Sequence, residues 1–254
     1  MDKKILITGS NGFISKNLKN YLLLKKYKVN NTNRIEGDIS FFDLKDNLYI
    51  KNKLPKFDIL IHLAYLRSSS YLLEKKYNFQ GSKNIFNIAK NFNAKIIYIS
   101  SQSASQNSKS NYGKIKYEIE QLSNEYNANI IRPGLVYDLN TDLGLYGSIS
   151  ILVKKMPFLL VPNGLKKKIN LCNIDTLFSK INDLIISESD YKKITLYEDQ
   201  KYTLKALVKK IAEINNKKIF IIPINYKIIY YIIKTLEILN IKLPISSDSI
   251  KSLL

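Results

Sequence analysis

Tyr112 and Lys116 stand four residues apart in the stretch Tyr112-Gly113-Lys114-Ile115-Lys116. On a helix that spacing puts both side chains on one face. An ammonium group beside a phenol stabilises the phenolate and lowers the phenol's pKa from about 10. The phenol can then exchange a proton with an alcohol or a ketone near neutral pH. The spacing alone is not specific. This chain has 18 tyrosines, and Tyr21/Lys25, Tyr49/Lys53, Tyr71/Lys75, Tyr197/Lys201 and Tyr230/Lys234 repeat it. What sets Tyr112/Lys116 apart is the strand before it, which ends in Ser100-Ser101 and would bring a hydroxyl to the same crevice.

A second candidate site opens the chain. Ile5, Leu6 and Ile7 form a short apolar run of the kind buried in a parallel sheet. Gly9 and Gly12 follow, and then a helical pattern begins. A strand that runs through a glycine turn into a helix N-terminus is a phosphate site. The free N–H groups of the first turn point at the anion, and the helix dipole favours negative charge there. Glycine lets a diphosphate approach the backbone without a Cβ in its path.

The elements that must hold these residues can be read in order. A helix is expected over 13–26, a second strand over 27–32 and a third over 57–63. A long helix follows over 71–92, a fourth strand over 95–100, a helix over 112–126 and a fifth strand over 129–132. This alternation predicts an α/β fold with a Rossmann-like, doubly wound parallel sheet. Ligands in such sheets bind beyond the C-terminal strand ends. Gly9, Ala64, Ser100 and Pro133 should therefore face one crevice. After Arg132-Pro133-Gly134 the pattern changes to helices over 143–155, 175–186 and 204–214, with short strands at 194–197 and 218–222. We read 1–140 as the sheet domain and 141–254 as a small α/β lobe, interleaved with the first and not folding independently. The segment 226–241 is strongly apolar at Ile228, Ile229, Ile232, Ile233, Leu236 and Leu239. It reads as a helix packed on the core; its lysines and tyrosines leave a membrane-surface or partner helix as the alternative.

Composition narrows the classes. The chain has 254 residues, 45% of them hydrophobic, enough for a substantial core. One cysteine, Cys172, cannot form an intrachain disulfide and fits a reducing compartment. No apolar run reaches transmembrane length, and the expected localisation is cytoplasmic. The net charge of +19 invites a nucleic-acid reading. The basic residues, however, are nearly all lysine, spread along the chain amid abundant isoleucine, asparagine and tyrosine, as in proteins of AT-rich genomes. The only basic triplet, Lys166–Lys168, sits in a loop-like stretch. We expect no nucleic-acid partner. His62, the sole histidine, ends a strand, so neither a histidine-based triad nor a metal site is expected.

These residues fall into a known order. Thr8-Gly9-Ser10-Asn11-Gly12-Phe13-Ile14-Ser15 resembles the TGxxGFIG motif of the extended short-chain dehydrogenase/reductase family, of the NAD-dependent epimerase/dehydratase type. Gly37-Asp38-Ile39 resembles its GDL element, and His62-Leu63-Ala64-Tyr65 its HLAA strand end. Asn78-Phe79-Gln80-Gly81-Ser82 is similar to its NxxGT helix. Ser100-Ser101 resembles its serine pair, Tyr112 to Lys116 its YxxxK, and Arg132-Pro133-Gly134-Leu135-Val136-Tyr137 its RPxxVYG, which ends here in Asp138. Together they cover residues 4–138. The resemblance implies a bound NAD(P). It would be held by Gly9, Ser10, Asn11, Gly12, Phe13, Ile14, Asp38, Ile39, Leu63, Ala64, Tyr65, Ser100, Tyr112, Lys116 and Pro133, with Asp38 on the adenine. It also implies Ser101, Tyr112 and Lys116 as catalytic residues and a nucleotide-linked sugar as substrate, either reduced as a keto-sugar or epimerised. A homodimer is left open. The alternative is a non-catalytic, cofactor-binding scaffold or regulator of the same fold.

The chain also departs from the pattern. Ser15 replaces the third glycine and should crowd helix–strand packing. The stretch from Ser101 to Tyr112 is short. Gln102 and Ser103 stand where dehydratases of the family carry an acidic pair, and Asn173 to Leu177 only loosely matches the family's HVDDL.

The second strand lacks the acidic residue that usually hydrogen-bonds the ribose 2′-OH of NAD. It runs Val29-Asn30-Asn31-Thr32 and is followed by Asn33-Arg34. A carboxylate would repel a 2′-phosphate, whereas Arg34 can pair with one. NADP(H) is therefore expected to bind more tightly than NAD(H), and Arg34→Ala should erase the difference. Titration of both cofactors against both proteins checks this; a wild type that favours NAD⁺, with a ratio unmoved by the substitution, would refute it.

Overall fold

The computed structural model describes residues 3–32, 43–45, 54–68, 70–163, 168–187, 193–239, 241, 243 and 245–252. Arg34, Asp38 and Ile39, expected at the cofactor, lie outside them. The chain divides into two compact units. Unit 1 comprises residues 1–106, 113–132 and 175–195; unit 2 comprises 107–112, 133–174 and 196–254.

Unit 1 is built on strands β1 (Lys4–Thr8), β2 (Lys28–Asn31), β3 (Ile59–His62), β4 (Lys95–Ile99), β5 (Asn129–Pro133) and β9 (Lys193–Leu196). Among the described residues they order as β2-β1-β3-β4-β5-β9. The β1/β2, β1/β3, β3/β4 and β4/β5 pairs are all parallel, with Ile5 opposite Val29 and Ile59. Helices α1 (Phe13–Leu24), α2 (Tyr71–Asn91), α3 (Asn111–Asn124) and α5 (Ile174–Ile186) connect them. This is the doubly wound parallel sheet that the alternation predicts. The sheet is apolar on both faces, as parallel sheets must be. Leu6, Leu60, Ile96, Tyr98 and Ile130 pack with Ile85 and Phe86 of α2 and with Ile115 and Ile119 of α3. The alternate positions Ile5, Ile7, Ile61 and Ile97 are equally buried.

α5 and β9 follow residue 140 yet belong to unit 1. β9 extends its sheet beside β5. α5 buries Leu177, Ile181 and Ile185 and packs Phe178 at a tilt against Tyr21 of α1, ring centres 5.4 Å apart. The chain thus returns to the first unit after a 42-residue excursion, residues 133–174.

Four helices end in the same way. Lys26, Asn93, Asn127 and Asn216 take φ between 50° and 64° just past a helix end. The next N–H in each case reaches back five residues: Tyr27 to Leu22, Ala94 to Ala89, Ala128 to Ser123 and Lys217 to Ala212. This six-to-one bond satisfies a terminal carbonyl and turns the chain sharply towards the following segment. Asparagine tolerates the left-handed conformation, which is why three of the four positions carry it.

Unit 2 holds β6 (Leu135–Tyr137), α4 (Gly144–Lys155), β7 (Phe158–Asn163), β8 (Ile169–Asn173), β10 (Lys201–Tyr202), α6 (Leu204–Ile214), β11 (Phe220–Asn225), α7 (Tyr226–Ile238) and α8 (Ser247–Lys251). β8 lies between β10 and β6, while β11 pairs with β7 in parallel. Leu207, Val208 and Ile211 of α6 pack on Tyr146, Ile149 and Val153 of α4 and on Val161 and Leu171. The sequence reading missed β6, β7, β8 and β10: β6 and β10 are very short, Pro157 and Pro162 bracket the apolar run of β7, and asparagines interrupt β8. The reading of 226–241 as a core-packed helix is corrected. The helix ends at Ile238, and Ile229 is its one buried residue. No helix among the described residues is long and apolar enough to cross a membrane.

His62 ties the centre of unit 1 together. It is fully buried, stacked on Tyr98 and edge-on to Phe86. Nδ1 lies 2.7 Å from Thr8 Oγ1, and Nε2 lies 2.9 Å from Ser82 Oγ. Burial first, and the charge of Lys116 second, push its pKa down to about 3. The unfolded chain titrates near 6.5. Below that pH the unfolded state takes up a proton that the folded ring refuses. Stability is thus fully present above pH 6.5 and is lost as pH falls towards 3, by about 1.4 kcal/mol per pH unit. Thermal unfolding between pH 6.5 and 4 should show this loss, and His62→Asn should flatten it while lowering stability at pH 7. An equally steep profile in the variant would remove His62 as the cause.

Candidate active site

The turn after β1 is fixed by contacts that leave no room for a side chain. Gly9 has φ +79°, and a Cβ there would sit 2.9 Å from the Ala64 backbone. Both the conformation and the close approach of two loops require glycine. Thr8 supplies the bond between the loops: its hydroxyl accepts the N–H groups of Leu63 and Ala64, each at 3.2 Å. Ser15, expected to crowd the packing, does something else. It is buried on the first α1 turn, and its hydroxyl donates to the Gly9 carbonyl, with the Gly12 carbonyl 3.1 Å away. In place of a glycine contact, the chain has a hydrogen bond that holds the turn.

Beside this turn lies a cleft of about 470 Å³. Gly9, Ser10, Asn11 and Gly12 form one wall, and Leu63, Ala64, Tyr65 and Leu66 another. Phe13 and Ile14 are half-buried in the first turn of α1 behind the glycine wall. Thr32, Asp43, Leu44, Lys45 and Arg67 complete the lining and, like Leu66, were not among the residues expected from sequence. No motif marks them; the fold brings them there from three loops. Gly12 caps α1 without a side-chain hydrogen bond, and the first turn carries no acid. Ser70 and Thr203, by contrast, cap α2 and α6 with their side chains. The α1 N-terminus is thus open to an anion, with Lys45 and Arg67 on the same cleft. These residues fit the diphosphate of a dinucleotide: glycine backbone, an uncapped helix end and nearby cations.

A second group lies at the end of β4, also in unit 1. Lys116 is buried on α3, and its Nζ donates to the Ile99 carbonyl at 2.8 Å. The ammonium lies 4.7 Å from the Tyr98 ring centre and 5.5 Å from that of Tyr65. Burial pushes its pKa down to about 7, with Glu120 opposing and Arg67 adding to the fall. Tyr65 is itself held, donating to Glu74 at 2.6 Å. Ser101 is half-buried; its Oγ accepts the Ser103 N–H at 3.1 Å and pairs with Ser103 Oγ at 2.9 Å. Ser100 is buried and donates to Glu120 at 2.5 Å.

Glu120 went unnoticed in the sequence because one acid on a charged helix looks like a solvated face. Its side chain is fully buried. It accepts Arg132 through both oxygens, at 2.7 and 2.5 Å, and pairs with Lys193 at 2.9 Å. Burial opposes its charge, but hydrogen bonds from Arg132, Ser100 and Lys193 outweigh that and hold the carboxyl below its usual pKa. One carboxylate thereby joins β4, α3, β5 and β9.

Tyr112 stands at the start of α3, four residues before Lys116, and falls in unit 2. There the Asp248 carboxylate of α8 accepts the N–H groups of Asn111 and Tyr112 at 2.7 and 3.1 Å, capping the helix. Pro133 is buried at the end of β5.

Residues 5–133, just over half of the chain, match the sequence model of the NAD dependent epimerase/dehydratase family. No curated protein matches the chain in sequence. Among solved structures, the dTDP-4-dehydrorhamnose reductase of Bacillus anthracis, in complex with NADP, is similar at TM-score 0.74 and 18% identity, over 99% of this chain and 98% of that one. The ADP-L-glycero-D-manno-heptose-6-epimerase of Helicobacter pylori gives 0.71 and 18%, over 99% and 95%. The UDP-glucose 4-epimerase of Thermotoga maritima, with UDP-glucose, gives 0.70 and 18%, over 87% and 85%. At these identities the likeness is one of fold.

The Glu120 cluster carries a prediction. Glu120→Gln keeps the shape but leaves Arg132 and Lys193 without their counter-charge. Breaking a buried ion pair by removing one partner costs about 3–5 kcal/mol. Lys193→Met should cost far less, since that side chain is 35% exposed. Urea unfolding of the three proteins measures both; a Glu120→Gln loss under about 1 kcal/mol would show that the cluster is not a structural hub.

Proposed function

The chain belongs to the NAD-dependent epimerase/dehydratase family, and from that premise we propose that it is an NAD(P)-dependent enzyme acting on a nucleotide-linked sugar. The observation that carries this reading is the buried Lys116. Its ammonium is fixed at the end of β4, beside Ser100-Ser101 and four residues along α3 from Tyr112. A buried ammonium with no chemical task is a costly feature.

The roles follow from the chemistry of the groups. Tyr112 moves the proton to or from the reacting sugar oxygen, Ser101 hydrogen-bonds that oxygen, and Lys116 lowers the phenol's pKa and holds the ribose. Gly9 to Ile14 receive the diphosphate at the open end of α1, and Leu63, Ala64 and Tyr65 form the facing wall. When bound, the nicotinamide supplies the hydride chemistry. The relatives of this fold include reductases and epimerases, with NADP in the reductase structure above. With Arg34 in place of an acid after β2, our reading favours NADP(H) and net reduction of a keto-sugar over epimerisation, which returns its cofactor unchanged.

Tyr112→Phe should lower turnover about 10²–10⁴-fold and leave cofactor affinity unchanged, because only the hydroxyl is lost. NADPH or NADH oxidation with a panel of nucleotide keto-sugars, together with direct cofactor titration, reads both. Unchanged turnover in the variant would remove Tyr112 from the chemistry. A wild type that binds cofactor but turns over no member of the panel would favour a scaffold of the same fold.

A further inference from the structure

Helix α7 is apolar on two sides, and unit 2 covers only one. Ile229 is buried, but Ile228, Tyr231, Ile232, Ile238 and Leu239 are 51%, 64%, 46%, 71% and 63% exposed. They recur at i, i+3, i+4, i+10 and i+11, a stripe along one face. The stripe does not stand alone. α7 contacts both strands of the β7/β11 pair. In that pair Phe158 lies opposite Phe220 and Leu160 opposite Ile222, and all four are exposed. The helix and the strand pair it contacts thus both expose large apolar side chains, more than the scattered hydrophobics of an ordinary surface.

The charges around the patch say what covers it. Lys227 and Lys234 lie along one edge of the stripe on α7, within about 40° of it on the helix surface. The neighbouring acids are engaged elsewhere. Glu237, the one acid of α7, accepts the N–H and hydroxyl of Ser247 at 2.8 and 2.6 Å. Asp248 caps α3. The patch is therefore apolar with a basic edge, and the acids of α7 and α8 are turned to other partners. A second copy would suit it poorly. Antiparallel α7 helices would set Lys227 against Lys234, and each chain carries a net charge of +19. A surface that is apolar inside and anionic at its boundary matches both properties.

We propose that unit 2 docks on an anionic lipid bilayer, with the exposed stripe of α7 and the β7/β11 face in the acyl boundary and Lys227 and Lys234 at the headgroups. Tyr231 suits that depth, having an apolar ring and a polar tip. Binding of this kind draws on buried apolar area and on charge together, so it must respond to the loss of either.

The test is flotation with large unilamellar vesicles of phosphatidylcholine, alone or with one quarter phosphatidylglycerol. The full chain should float with the anionic vesicles, at least about tenfold better than with neutral ones, and 0.5 M NaCl should abolish most of the difference. Tyr231→Ser/Ile232→Ser/Leu239→Ser leaves the net charge unchanged and alters only exposed positions. It should bind anionic vesicles about tenfold or more weaker, with an unchanged thermal midpoint. Ile238→Ser alone, at the most exposed position of the stripe, provides a milder variant should the triple one lose stability. A wild type that ignores anionic vesicles overturns the proposal. So do serine variants that bind as well as wild type, since charge alone would then suffice. A wild type that sediments as a dimer, dissolved by the same serines, assigns the patch to a second copy instead.

Discussion

The hydroxyl of Thr8 can make three hydrogen bonds, and it makes all three. Its two lone pairs accept the N–H groups of Leu63 and Ala64, so its proton goes to Nδ1 of His62. That fixes the histidine tautomer: the ring proton lies on Nε2 and is donated to Ser82. One threonine at the end of β1 thus sets the loop after β3, the ring at the end of β3 and the face of α2. The chain passes from Thr8 into Gly9, whose missing Cβ lets the two loops meet. Both walls of the cleft therefore depend on the adjacent pair Thr8 and Gly9. The cleft walls are held by a neutral hydrogen-bonded chain inside an apolar sheet, which fixes them without a buried charge.

Glu120 plays the complementary part on the other side of the sheet's centre. A buried carboxylate is stable only with partners, and this one has Ser100, Arg132 and Lys193. It anchors the end of β4 from below, while Lys116, one turn earlier on the same helix, grips the Ile99 carbonyl just before it. The strand end that carries Ser100 and Ser101 is thus held by two charged residues of α3. The same helix that offers Tyr112 at its start fixes the strand beside it.

Lys116 also shows how burial tunes a group that sequence describes only as basic. Its pKa near 7 comes first from desolvation. Below that value the ammonium is charged and can serve an anionic or hydroxyl-bearing ligand, while above it the charge is given up. Because the unfolded value is near 10.5, the folded state holds fewer protons between pH 7 and 10.5, so folding weakens as pH falls through that window. Groups shifted this far by burial cluster at functional sites, where such a cost is commonly tolerated.

The sequence by itself determined the sheet and its helices. Apolar runs and helical periodicity depend on neighbours a few residues away, and every strand and helix expected through residue 132 lies within a few residues of its place. The glycine turn was legible for the same reason: Thr8, Gly9 and Gly12 act within one loop. Tertiary structure alone decided the rest. Ser15 read as an intruding side chain because its partner is a carbonyl six residues back that only the turn brings near. Glu120 drew no attention in the sequence because Arg132 and Lys193 reach it only when β5 and β9 align. Arg67 and Lys45 joined the cleft, and α5 and β9 joined the first unit, through packing between distant segments. The segment 226–238 showed the limit most plainly. Its composition said apolar helix, but hydrophobic residues do not state which face is covered. That depends on how much of α7 the rest of unit 2 can reach, and it reaches only the side of Ile229.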